Sequence, residues 1–143
     1  MSVIVTDSGF APDDWTDGFH AWDDTALSRW QHANGYAIDV PNTSNPADLV
    51  PFFDDCAMIR IAFPSFADGR GFSIARHLRL LGYTGRLRAN GHVLADQYAM
   101  ARRVGFDEVE ISDDLAKRQP ADQWQFRADW RDHSYLDHVK KAG

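Results

Sequence analysis

Cysteine is nearly absent: Cys56 is the single one in 143 residues. One thiol makes no internal disulfide, no CxxC redox pair and no four-thiolate iron–sulfur site. Its surroundings, FFDDCAMIRIAF, also speak against a nucleophile. Acidic neighbours raise a thiol pKa, and an apolar strand buries the sulfur. Lysine is missing before Lys117, which excludes a Walker-type phosphate loop. Gly69-Arg70-Gly71 supplies G-x-G, but Ile74 stands where a third small residue is needed, so a dinucleotide fingerprint is excluded as well. Neither Ser65 nor Ser73 lies in a G-x-S-x-G elbow. No apolar run approaches the ~18 residues of a membrane span. The opening MSVIVTDSGF has no basic n-region and no long apolar h-region, so a secretory leader is not expected and the cytoplasm is the expected compartment.

What is present suits one compact α/β domain over 1–143. Apolar residues make up 44% and charged residues 25%, enough for a core without disulfide or metal staples. The net charge of −6 is unevenly spread. Residues 1–55 hold ten aspartates and one arginine, residues 56–111 eight arginines against five acids, and residues 112–143 six of each sign. A basic middle this small is no nucleic-acid footprint. It fits a small anion or an acidic partner better.

Three regions follow from the patterning. Residues 1–55 read as an acidic, largely irregular arm, with a short strand in SVIVTD, a helix over 25–33 capped by Asp24, and a short alternating run in YAIDV. Residues 56–111 read as β-α-β-α-β. AMIRIAF is a strand, GFSIARHLRLLG a helix ending at Gly82, GRLRAN a strand, HVLADQYAMARRVG a helix ending at Gly105, and FDEVEIS a strand. Such units build a small parallel sheet, part of a (β/α) barrel or flavodoxin-like. Residues 112–143 are a polar, aromatic tail. Ser112 caps a short helix there, and His133 and His138 read as surface groups. The edges of so small a sheet need a cover from the arm, the tail or a second copy of the chain, so a homodimer is expected.

Ligands of parallel α/β units gather beyond the C-terminal strand ends. In the first such loop, Gly69 and Gly71 allow positive φ or close approach, and free N–H groups with Arg70 favour an anion. Its alternative reading is a turn, with Asp68 capping the helix. Ser73 and Arg76 continue on that helix. The second loop offers Asn90, His92, Asp96 and Gln97. With His92 and Asp96 both on a helix, their spacing puts them on one face, as an orienting pair, a metal pair or a plain surface contact. His92 and Asp68 are the candidates for acid–base work. Arg88, flanked by Leu87 and Ala89, points inward on its strand and needs a partner there. The chain's own residues lead us to expect no cofactor and no metal.

FPSFADGRGFSIARHLR, GYTGRLRANGHVLADQ and RRVGFDEVEI, in that order and spacing, resemble the bacterial domain of unknown function 934 family over roughly residues 36–111. Family members often carry a basic residue where this chain has Ser65 and a threonine where it has Ala67. A loop without that cation holds an anion less firmly. Members are commonly labelled oxidoreductases of sulfite reduction, a label drawn from neighbouring sulfur-assimilation genes. The resemblance thus implies an accessory protein of sulfate or sulfite reduction, partnered with sulfite reductase or another sulfur-assimilation enzyme. In that reading Arg70, Arg76, Arg88 and His92 form an anion or partner surface held by Asp68 and Gln97. The alternatives are a small enzyme or binding module for an anionic metabolite, and a structural subunit without a ligand.

Overall fold

The computed structural model describes residues 2–16, 18–22 and 35–125. The expected helix over 25–33 with its Asp24 cap, His133 and His138 lie outside them.

The parallel core is present as expected. Strands β4 (Tyr36–Val40), β5 (Cys56–Phe63), β6 (Arg86–Gly91) and β7 (Glu108–Ser112) lie side by side and parallel. The β4–β5 crossover carries a 3-10 turn, Pro46–Phe52, which buries Leu49 and Phe52. The next carries α1 (Arg70–Leu80) and the third α2 (Tyr98–Val104). Gly105 closes α2 at a φ of 117°, a left-handed cap open to glycine at little strain. Ser112 caps α3 (Asp113–Arg118), its hydroxyl accepting from the Leu115 N–H. Helix α4 (Ala121–Gln125) follows.

The N-terminal region is more ordered than an irregular arm. Strands β1 (Ser2–Thr6) and β2 (Gly9–Ala11) form a hairpin, and β1 pairs antiparallel with β7. Strand β3 (His20–Ala21) pairs parallel with β4 at the far edge. The sheet order is β2-β1-β7-β6-β5-β4-β3. Residues before β5 therefore extend the sheet at both ends, which shortens the exposed edges.

Every element after β4 contributes to one hydrophobic cluster. Ile59, Ile61 and Phe63 of β5, Leu87 and Ala89 of β6, and Val109 and Ile111 of β7 pack with Ala75 and Leu78 of α1, Tyr98 and Ala101 of α2, Leu115 of α3 and Trp124 of α4. Phe63 packs against Phe72 and Phe106, and Tyr98 lies edge-on to Trp124. Alternation along each strand sends the intervening residues to the opposite face. There the composition changes from apolar to charged.

Candidate functional site

The loop after β5 closes on itself. Ser65 accepts the N–H of Asp68 at its carbonyl and that of Ala67 at its hydroxyl. Both Asp68 oxygens then take Arg70, from Nε at 3.0 and 3.2 Å and from Nη2 at 2.7 Å. Asp68 also accepts from the Arg70 N–H and from the Asn42 amide. Arg70, with its own N–H and the Asn42 amide, holds the Asp68 carboxyl well below the usual carboxylate range. Gly69, not Asp68, is the N-cap of α1 and makes no side-chain cap bond; Asp68, one residue earlier, accepts the Arg70 N–H and occupies the guanidinium fork that an anion would need.

Neither glycine has positive φ, and a close approach requires glycine only at Gly71. Gly71 lies so close to Phe63 that a Cβ would meet its ring at 2.5 Å, whereas a Cβ on Gly69 meets nothing nearer than Phe72 at 3.8 Å. Positive φ falls instead on Gly91, at 123°, where a Cβ would also lie 2.6 Å from the Phe63 carbonyl oxygen.

The second loop differs from the expectation. Residues 92–94 are not helical: a 3-10 turn begins at Ala95 and α2 only at Tyr98. Leu94 is extended, and the Gln97 side chain accepts its N–H at 2.9 Å, which starts the helical segment there. His92 and Asp96 therefore do not share a helix face. Asp96 lies exposed in the 3-10 turn. The His92 ring instead stands edge-on to Phe66, centroids 4.9 Å apart. Gln97 also donates to the Phe66 carbonyl at 3.1 Å, tying the two loops together. Phe66, Arg70 and His92 are exposed here, and Ser73 and Arg76 lie exposed on α1.

Arg88 is not part of that surface. It lies on the sheet face away from the helices and is fully buried. Strand register places Asp39, Arg60, Arg88 and Glu108 in one row across β4, β5, β6 and β7. Arg60 meets Asp39 through Nε and Nη2, and its Nη1 reaches Glu110 at 2.9 Å. Arg88 donates to Glu108 at 2.7 Å and to the same Glu110 oxygen at 2.8 Å. Arg86 takes the other side of Glu108. Each glutamate so bridges two arginines. The inward reading of Arg88 holds, but its partners were missed. Glu110, with Asp39 and Arg60 of the row, also stands at an alternating position between apolar neighbours, as in Ile38-Asp39-Val40, Ile59-Arg60-Ile61 and Val109-Glu110-Ile111.

The segment between β2 and β3 covers this face. Asp13 pairs with both Arg88 Nη atoms at 3.0 and 3.1 Å, and Asp14 accepts from Arg86 at 2.6 Å. The Phe19 ring lies 3.5 Å from the Arg60 guanidinium carbon. Burial opposes ionisation of Asp13, but the hydrogen bonds from Arg88 and the Trp15 N–H outweigh it, so its pKa lies below the ordinary value. Arg86 lowers that of Asp14. Beyond the row, Asn90 lines an open cleft of about 400 Å³ with Trp22, Asp39 and Ala62.

Residues 37–141 match the model of a bacterial protein family of unknown function, DUF934. The chain belongs to that family. The match runs past the 36–111 stretch of the motifs and into the tail. It takes in the whole arginine–glutamate row and leaves out the covering segment with Asp13, Asp14 and Phe19. No curated protein and no solved structure matches. Cys56 is buried, and burial pushes its thiol up to about 11. No helix among the described residues is long and apolar enough to cross a membrane.

Proposed function

We propose that this protein is an accessory factor of assimilatory sulfate or sulfite reduction that lacks a redox centre of its own and acts by docking on a partner reductase. The pathway rests on the resemblance noted above. The docking role rests on one observation: the loops beyond β5 and β6 are fixed to each other by internal bonds while they present Phe66, Arg70 and His92 outward. Asp68 holds Arg70, Gln97 holds Phe66, and Phe66 holds His92. Aromatic and arginine side chains on a rigid base are the usual anchors of protein interfaces, because little entropy is lost on binding.

The test is capture of purified sulfite reductase by the purified chain. The reading expects a complex that weakens at least tenfold in Phe66→Ala and Arg70→Glu, with Ser73→Ala unaffected. No complex, or one indifferent to Phe66 and Arg70, removes the docking surface.

A further inference from the structure

The arginine face carries an observation that the docking reading does not use. Asp14 Oδ1 lies 2.6 Å from Arg86 Nη2 and 3.8 Å from Arg88 Nη2. One oxygen thus reaches both guanidinium groups, and Asp13 adds a second carboxylate against both Arg88 Nη atoms. The other edges of the two arginines are fixed by Glu108 and Glu110. The Nη1–Nη2 edge of Arg88 and Nη2 of Arg86 thus converge on two carboxylates, a donor set that suits an oxyanion in their place.

We infer that Arg86 and Arg88 form a binding site for a small dianionic oxyanion of the sulfate or phosphate class, and that Asp13 and Asp14 occupy it as a built-in substitute. An exchange of Asp13 and Asp14 for a dianion conserves the charge at the arginines. Within the family-matched core, Arg60, Arg86 and Arg88 are balanced by Asp39, Glu108 and Glu110. The segment then adds two carboxylates, the charge of one dianion. Its construction supports exchange. Residues 12–16, 18 and 19 have no helix or strand, and most are exposed. They are held through Asp13, Asp14 and Phe19 to a face whose arginines belong to the family-matched region, while they themselves do not. The segment joins β2 and β3, strands at opposite ends of the sheet order. A tethered group competes at an effective concentration on the order of millimolar. The native chain therefore binds the ion weakly, and displacement of the segment sets its apparent affinity.

The test is calorimetric titration of the full chain with sodium sulfate against sodium chloride at equal ionic strength. The Asp13→Asn/Asp14→Asn variant is expected to bind one sulfate per chain at least tenfold more tightly than the native chain. Adding Arg86→Gln abolishes that binding. Inorganic phosphate probes a second free ion and O-phosphoserine an ester, and the Arg86-dependent ligand identifies the source. Equal affinity in native and Asn variants, or binding indifferent to Arg86, overturns the proposal. Should the Asn variant not fold, hydrogen exchange of the native chain decides. Saturating sulfate must raise exchange at residues 13–19 above the chloride control, and no rise overturns the site. These outcomes do not depend on reductase capture, so this site and the docking surface fail separately.

Discussion

Replacing Arg88 with methionine tests the charged row where it is deepest. Methionine keeps much of the volume and removes the charge. Arg88 has no exposed surface and meets Glu108, Glu110 and Asp13. Breaking a buried ion pair from one side costs about 3–5 kcal/mol, because the remaining charge stays buried without its partner. The geometry argues for the lower end. Glu108 keeps Arg86, Glu110 keeps Arg60, and Asp13 is exposed enough to turn toward water. A loss of about 3 kcal/mol is expected, read as a lower midpoint of urea unfolding at unchanged slope by tryptophan fluorescence. Adding Glu110→Gln should return part of it, with a coupling of about 1 kcal/mol or more, since residues in one network are not additive. A loss below about 1 kcal/mol, or full additivity of the two substitutions, would refute the reasoning, because the row would then not act as a connected network.

Three further outcomes follow from the loops and the core. Gly71→Ala should cost about 1–3 kcal/mol through the clash with Phe63, while Gly69→Ala stays within about 0.5 kcal/mol, both read by thermal unfolding. The Asp68 carboxyl should remain ionised well below the ordinary carboxylate range in a carbon-detected NMR titration. Its folded pKa is depressed, so its contribution to stability is present above the unfolded value and lost as pH falls through the folded one. Arg70→Ala should return that titration toward the ordinary value. Cys56, with its thiol near 11, should resist a disulfide reagent in the native protein at pH 8 and react fully once unfolded.

The regular parts of the chain were legible because their signals are local. GFSIARHLRLLG carries its own helical period and its own stop at Gly82, and FDEVEIS carries its own alternation. Arg88 was legible for the same reason, being a charge between Leu87 and Ala89. Its partners were not, because the row of Asp39, Arg60, Arg88 and Glu108 is set by the register of four strands, which no single strand encodes. The covering segment DDWTDGFH has no period at all, and it is placed by what it touches. The helix over HVLADQ was read too early. Its propensity is adequate, but the Gln97 side chain bonds back to the Leu94 N–H and starts the helical segment there. Leu94 has no capping side chain, so Leu94-Ala95-Asp96-Gln97 carried no capping box that the sequence could show. The glycines were legible only in part. Their type offered positive φ or a close approach, and Gly71 takes the second, toward Phe63 of a strand eight residues earlier rather than a ligand, while Gly69 takes neither.

Growth of a strain lacking this gene on sulfate, sulfite, sulfide or cysteine as the only sulfur source tests the proposed function most directly. The account predicts failure on sulfate and sulfite with rescue by sulfide and by cysteine, restored by the native chain and not by Arg70→Glu. Normal growth on all four sources would contradict it.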